Sequence, residues 1–196
     1  MELLFATQNV NKVKEVNEII SGIPNLKVIS LSEMGITDDI PETQDTIRGN
    51  AIQKAEYLWE KFGKNCFAED SGLEIDALKG APGVYSARYS GEPKNDKRNL
   101  EKVLYEMKLK RKRTARFRTV IAFIFNGELK CFEGTCEGTI RKESVGNGGF
   151  GYDPIFQPNN YNKTFGELPA EIKNKISHRA KAMALFIDEL RIMNYE

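Results

Sequence analysis

The chain has 196 residues, of which 40% are hydrophobic and 29% are charged, and its formal net charge is +1. These proportions are typical of a globular protein, and the near-zero charge favours neither nucleic acid nor a membrane surface as a partner. No apolar run reaches membrane-spanning length, no secretory signal opens the chain, and the three cysteines are an odd number. We therefore expect a cytoplasmic protein that forms one domain over residues 1–196, without a disulfide framework.

The first predicted elements are a strand, a polar loop and a helix. Residues 3–6 are apolar, and apolar side chains recur at helical spacing from Val13 to Ile20, after the loop Thr7–Lys12. A helix N-terminus offers free backbone N–H groups and Lys12 adds a positive charge, so the loop could bind an anion. An ordinary connection, with Asn or Thr capping the helix, is the simpler interpretation of these residues alone.

A second strand is predicted at Lys27–Leu31, and a long helix at Asp45–Phe62 follows the polar, acidic loop Ser32–Gln44. Glu42 lies just before that helix, and Lys54 lies on it beside the apolar stripe. On local grounds, Glu42 is a solvated loop acid and Lys54 a surface lysine.

The apolar run Cys66–Ala68 predicts a short buried strand that ends in Glu69, Asp70 and Ser71. Adjacent carboxylates are costly to bury unless a cation or hydrogen-bond donors meet them. Acids at the exit of a strand could hold a hard divalent ion such as Mg²⁺, or act as a base. A solvated turn after the strand also explains these residues.

The middle of the chain predicts a helix and a hairpin. Asp96 is predicted to cap the helix, and Ala115–Asn126 with Glu128–Ile140 predicts a long antiparallel pair. The run Lys108–Arg118 between them is strongly basic and could bind a phosphodiester backbone. Because Phe117 is the only side chain in it that could stack on a base, a solvated turn is favoured.

The stretch Gly146–Phe156 is rich in glycine and leads into a short apolar strand. Its glycines allow a close approach of the backbone to a ligand, and Phe150 and Tyr152 offer ring faces for a base. A glycine-rich hairpin explains it equally well. A final helix is predicted to carry His178 and Arg179 in its first turn, where the helix dipole disfavours cations. The two cations therefore favour an anionic or carbonyl-bearing partner at this position. The ordinary alternative is that His178 and Arg179 are simply surface residues.

Taken together and in order, five motifs resemble the inosine triphosphate pyrophosphatase family, whose members hydrolyse ITP, dITP and XTP to the monophosphate and pyrophosphate. The motifs are Thr7-Gln8-Asn9-Val10-Asn11-Lys12, Ala68–Leu73, Gly80–Tyr89, Gly148–Pro154 and Ser177-His178-Arg179. They span nearly the whole chain. One departure is Gly49, at a position where many bacterial members carry an acid.

The resemblance implies an α/β fold in which a long mixed β-sheet with flanking helices forms two lobes around a central cleft. It also implies a homodimer, Mg²⁺ as cofactor and purine nucleoside triphosphates as substrates. A related pyrophosphatase that acts on other modified or pyrimidine triphosphates is the alternative within enzymes.

The resemblance further assigns roles to residues. Asp70 is expected to be the base for the attacking water and, with Glu42, to hold Mg²⁺. Substrate contacts are expected from Thr7, Gln8, Asn9, Val10, Asn11, Lys12, Lys54, Ser71, Phe150, Gly151, Tyr152, Asp153, Lys173, His178 and Arg179. In this set the first seven would hold the triphosphate, Phe150 would stack on the purine, and the last three would reach the base and its 6-keto oxygen. The implied reaction is in-line attack of an Mg²⁺-activated water on the α-phosphorus, with pyrophosphate leaving.

Overall fold

The computed structural model describes residues 1–36 and 40–195, so residues 37–39 of the predicted acidic loop lie outside the described residues. In these ranges six strands form one sheet: β1 Glu2–Phe5, β2 Lys27–Ser30, β3 Cys66–Ile75, β4 Thr114–Phe125, β5 Glu128–Ile140 and β6 Phe156–Pro158. The α-helices are α1 Val10–Ile20, α2 Ile47–Phe62, α3 Asp96–Glu106, α4 Ala170–Ile176 and α5 His178–Tyr195. Short 3₁₀ turns lie at Asp76–Leu78, Gly83–Arg88 and Asp153–Ile155.

The sheet is mixed, with the strand order β2-β1-β3-β4-β5-β6. β1 runs parallel to β2 and to β3, where Phe5 pairs with Ser30 and Phe67, whereas β5 and β6 are antiparallel. α1 connects β1 to β2, the kind of helical crossover that parallel neighbours require. The α/β fold with a mixed sheet and flanking helices is confirmed.

The described residues fall into two compact units, and each has its own apolar core. Unit 1 contains the described residues of Met1–Asp70, Thr119–Gly134 and Ala180–Glu196, and unit 2 contains Ser71–Arg118 and Thr135–Arg179. Side chains of β1, β3, β4, α1 and α5 build the core of unit 1, and those of β3, α3, β4, β5 and β6 contribute to that of unit 2. The units agree with the two expected lobes, whereas the central cleft stays a prediction.

Polar side chains and a glycine set the helix ends near the site. Thr46 Oγ1 accepts a hydrogen bond from the Gly49 N–H (2.9 Å) and caps α2, which ends at Gly63 with φ +60°. The predicted cap of α3 is wrong by one residue, because Asn95 caps the helix and Asp96 is its first residue.

Within the described ranges, the structure has no helix whose length and apolar character would allow it to cross a membrane.

β3 is longer than the sequence suggests. It continues through Glu69 and Asp70 to Ile75, so the prediction that the strand ends before these acids is wrong. The two residues are only 1% and 8% exposed. A solvated turn is therefore ruled out, and the buried carboxylates need positive partners.

The basic run Lys108–Arg118 is only partly the solvated turn that the sequence favours. Its first half is largely exposed, whereas its second half lies on β4. There Arg116 pairs with Asp76 (3.1 Å) and Arg118 with Glu74 (3.1 Å). These ion pairs give the strand half of the run a structural role in unit 2.

Candidate active site

The loop between β1 and α1 is held by its own polar side chains. Thr7 Oγ1 accepts a hydrogen bond from the backbone N–H of Asn9 (3.1 Å). Asn9 Oδ1 accepts from the N–H groups of Asn11 (3.0 Å) and Lys12 (3.3 Å), which makes Asn9 the N-cap of α1. The side chains of residues 8–11 are exposed. The loop is therefore an ordered and accessible connection at the positive end of a helix.

Lys12 reaches from the first turn of α1 to β3. Its Nζ lies 3.4 Å from Glu69 Oε1 and donates a hydrogen bond to the backbone oxygen of Glu69 (3.3 Å). A buried carboxylate is tolerated when such a cation compensates its lost hydration. Glu69, which is outside the predicted set of site residues, thus helps to fix Lys12 beside the loop.

Lys54 is a buried lysine that joins two acids. Its Nζ lies 2.8 Å from Glu42 Oε1 and 2.9 Å from Asp70 Oδ1, and the residue is only 4% exposed. Burial disfavours the ammonium, but the charges of Asp70 and Glu42 and their hydrogen bonds outweigh it and raise the pKa of Lys54. The local interpretation of Lys54 as a surface lysine is wrong. The structure instead brings three predicted site residues into direct contact.

Glu69 and Asp70 are neighbours on β3, so their side chains lie on opposite faces of the sheet. Cys66, which shares the face of Asp70, donates a hydrogen bond to the Ala55 carbonyl of α2 (3.4 Å). The adjacent acids therefore meet different lysines, one from α1 and one from α2. Asp70, rather than Glu69, shares a cation with Glu42.

The acidic pair is suited to Mg²⁺. Glu42 and Asp70 direct carboxylate oxygens at one common position, at the Lys54 ammonium. Mg²⁺ in proteins is usually held by one or two carboxylates together with phosphate oxygens and water. Across residues 1–36 and 40–195, no three His, Cys, Asp or Glu side chains are grouped so as to hold a metal ion. The available donors thus fit an ion that takes its other ligands from a bound phosphate and from water.

Phe150 lies in a turn that Asp153 closes. Asp153 Oδ2 accepts hydrogen bonds from the Phe150 N–H (2.8 Å) and from Lys173 Nζ (2.8 Å). Lys173 Nζ lies 4.8 Å from the centroid of the Phe150 ring, and the Arg179 guanidinium carbon lies 5.6 Å from it. The result is a half-buried aromatic ring bordered by N–H donors. This chemistry suits a flat heteroaromatic ring that carries a carbonyl oxygen.

His178 and Arg179 begin α5 in buried positions, with exposed fractions of 5% and 2%. The His178 ring stacks on Phe117, with centroids 4.6 Å apart. The alternative of two surface residues is therefore wrong. Lys173 lies on α4, a short helix that the sequence does not predict.

Each unit contains part of the predicted site. Unit 1 holds the loop Thr7–Lys12 and the cluster of Glu42, Lys54 and Asp70, whereas unit 2 holds Phe150 with Asp153, Lys173 and Arg179. Within unit 2, Gly151 and Tyr152 continue the Phe150 turn, and the half-buried Ser71 directly follows Asp70 in the chain. The functional roles of these residues stay predictions.

The glycine at position 49, where many bacterial family members carry an acid, packs closely against Gln44. A Cβ at this position would lie 2.8 Å from Gln44 Cβ, too close for the backbone and Gln44 to stay where they are. The Gln44 N–H in turn donates to Asn50 Oδ1 (2.9 Å), and Asn50 is buried. Gln44 therefore occupies the space in which an acidic side chain at position 49 would begin.

Comparison with known proteins gives a consistent result. The Ham1 family model matches residues 3–189. A dITP/XTP pyrophosphatase of Flavobacterium johnsoniae is 48% identical over 190 residues, which are 97% of this chain and 98% of the relative. One of Bacillus subtilis is 51% identical over 185 residues, 93% of each chain. A solved structure of the Ham1 protein of Staphylococcus aureus superposes with a TM-score of 0.89 at 40% identity, covering 97% of this chain and 98% of that one. The resemblance found in the five motifs is confirmed, and the chain belongs to the Ham1 family.

Proposed function

We propose that this chain hydrolyses ITP, dITP and XTP to the nucleoside monophosphate and pyrophosphate. The observation that carries the proposal is the cluster in which the buried Lys54 joins the buried Asp70 to the more exposed Glu42, within a chain whose relatives are named dITP/XTP pyrophosphatases. A buried lysine and a buried carboxylate that meet a second acid near the surface favour a functional site, because apolar side chains would stabilise a core at least as well.

In the proposed reaction, Asp70 accepts a proton from the attacking water. The water oxygen forms a bond to the α-phosphorus, the bond from that phosphorus to the bridging oxygen breaks, and pyrophosphate leaves. Lys12, Lys54 and the exposed loop residues 8–11 are proposed to bind the triphosphate and offset the charge that grows on the leaving group. Mg²⁺ held by Glu42 and Asp70 would lower the pKa of bound water and neutralise phosphate charge.

The base is proposed to bind at Phe150. Stacking on this ring would hold the purine, with Gly151, Tyr152 and Asp153 forming the adjoining wall. Lys173, His178 and Arg179 would reach the base, and donors from this group would pair with its 6-keto oxygen. Adenine carries an amino group at that position, which would leave donors facing donors and cost about 1–3 kcal/mol for each unpaired buried group.

The position of bond cleavage tests the reaction type. Hydrolysis of ITP in ¹⁸O-labelled water should place the label in the monophosphate, because attack occurs at the α-phosphorus. Label in pyrophosphate, or release of inorganic phosphate as the first product, would contradict the proposal. Mass spectrometry of the two products distinguishes these outcomes.

The role of Asp70 is tested in the same assay. Asp70→Asn should lower kcat by about a thousandfold, since the amide cannot accept the proton, while ITP still binds. Asp45→Asn, which changes an exposed acid near the start of α2, is the matched control and should keep kcat. Near-normal turnover by Asp70→Asn would exclude Asp70 as the base.

A homodimer and a cytoplasmic location stay predictions for this chain.

A further inference from the structure

The turn that carries Phe150 is held by two carboxylates from different parts of unit 2. Asp153 Oδ2 accepts a hydrogen bond from the Phe150 N–H (2.8 Å). Asp96 Oδ2 accepts one from the next N–H along the chain, that of Gly151 (3.1 Å). Asp153 lies within the turn, whereas Asp96 is 55 residues away in the sequence. The second bond therefore ties the turn to another element of the unit.

Asp96 is well placed to act as a fixed support. It is the first residue of α3, and the preceding Asn95 caps the helix by accepting the Arg98 N–H (2.9 Å). One turn later, Asn99 is 1% exposed and its Oδ1 accepts hydrogen bonds from the N–H and the hydroxyl of Ser90, both at 2.7 Å. The start of α3 is thus anchored on both sides of Asp96.

Residues ordered by the same region of α3 also hold Tyr152, which follows Gly151 in the turn. Tyr152 Oη donates a hydrogen bond to the Ser86 carbonyl (2.8 Å), and Asn99 Nδ2 donates to the neighbouring Ala87 carbonyl (3.0 Å). The Tyr152 hydroxyl and the Gly151 N–H are therefore both held by residues that α3 orders. Three consecutive residues, 150 to 152, each have one polar group fixed by a different partner.

The turn needs such fixing because of its backbone. Gly149 and Gly151 flank Phe150, and both have positive φ, +72° and +60°. Glycine moves between backbone conformations at little cost. Without an external tie, a ring placed between two glycines would sample several orientations. Holding the Gly151 N–H restricts the residue that directly follows the ring.

We propose that Asp96 is a positioning residue for base recognition, whose carboxylate fixes the Gly151 N–H and so holds the Phe150 ring in the orientation that stacks on the purine. The proposal rests on the proposed function and adds a residue to it that does not itself touch the nucleotide. Its effect belongs to binding of the base, so it should leave the phosphate chemistry unchanged.

Three substitutions separate positioning from helix stability. Asp96→Ala removes the acceptor, Asp96→Asn keeps an acceptor oxygen but loses the charge, and Asp96→Glu keeps the charge but moves the acceptor. We expect Asp96→Ala to raise KM for ITP about fivefold, as loss of one hydrogen bond would, with kcat nearly unchanged. Asp96→Asn should recover most of the affinity. If Asp96 only stabilised the start of α3 through its charge, Asp96→Glu would be the variant that recovers function.

Two further readouts complete the test. Inhibition by inorganic tripolyphosphate, which has no base, should be the same in wild type and in Asp96→Ala. Amide hydrogen exchange in the peptide that covers residues 150–153 should be faster in Asp96→Ala than in Asp96→Asn, and this measurement needs no turnover. Unchanged KM and exchange in Asp96→Ala, or equal losses in the Ala and Asn variants, would overturn the proposal. A wild type that fails to hydrolyse ITP while the exchange difference is present would reject the proposed function but keep the tie between Asp96 and the turn.

Discussion

At the scale of single residues, Lys54 shows how a charge can be buried at low cost. Its ammonium is in contact with Glu42 and Asp70, and these carboxylates compensate the hydration that the lysine loses. The three charges are therefore interdependent. Removal of the lysine leaves two acids that face each other without a cation.

Lys54→Met should destabilise the protein by about 3 kcal/mol at neutral pH, because it leaves uncompensated carboxylates in a largely buried site. Denaturant unfolding of the variant and of wild type measures the difference. Lys61→Met changes an exposed lysine on the same helix and should alter stability by less than about 0.5 kcal/mol. Equal effects of the two substitutions would contradict the role of Lys54 as a buried cation that compensates these acids.

The pH dependence of this difference follows from the raised pKa of Lys54. The ordinary pKa of the group is 10.5, and its folded value is higher. A raised pKa means that the stabilisation is present in full below the unfolded value and is lost as the pH rises through the folded value. The stability difference between wild type and Lys54→Met should therefore be constant from neutral pH to pH 10.5 and shrink above it.

At the scale of elements, β3 shows where local sequence rules fail. Asp, Ser and Gly are disfavoured in strands, so residues 70–72 predict a turn after Ala68. In the structure, Lys12 and Lys54 compensate Glu69 and Asp70, and the strand continues to Ile75. The compensating lysines come from helices far away in the sequence. A short stretch of sequence around β3 therefore does not contain the lysines that allow the strand to continue through its acids.

The sequence predicts some of the other elements well and others not at all. The hairpin of β4 and β5 is confirmed with nearly the predicted bounds, because long alternating segments and an Asn-Gly turn are strong local signals. The sequence does not predict the seven-residue helix α4, since one or two turns carry too little periodicity to be recognised. The family resemblance therefore predicts Lys173 as a site residue without predicting the helix on which it lies.

The Phe150 turn gives a prediction at this scale. A Cβ at Gly149 would lie 2.0 Å from Asp153 Oδ2, so Gly149→Ala must displace the carboxylate that holds the Phe150 N–H and Lys173. We expect KM for ITP to rise at least about tenfold as these hydrogen bonds are lost. Gly91→Ala is the matched control, because Gly91 also has positive φ but nothing within 4 Å of its Cβ position. Similar KM values for the two variants would show that backbone strain, rather than displacement of Asp153, is responsible.

At the scale of the whole molecule, each unit contains some of the residues that the motifs predict as site residues. Unit 1 contains the acids and lysines proposed to act on the triphosphate, and unit 2 contains the ring and cations proposed to select the base. The family resemblance, carried by the five motifs, predicts both the site residues and the mixed sheet. The ion pairs that fix Lys12, Lys54 and Lys173 could not be predicted, because each joins residues that only the fold brings together.

We expect this chain to select non-standard purines and to release pyrophosphate from their triphosphates. The most direct test is kcat/KM for pyrophosphate release from ITP, dITP, XTP, ATP, GTP, dTTP and UTP with Mg²⁺ present. We expect the first three substrates to exceed ATP by about a hundredfold, because the donors proposed to bind the 6-keto oxygen would face the amino group of adenine. The family resemblance predicts that they also exceed GTP, dTTP and UTP. Equal rates with ATP, or a preference for dTTP or UTP, would contradict the account.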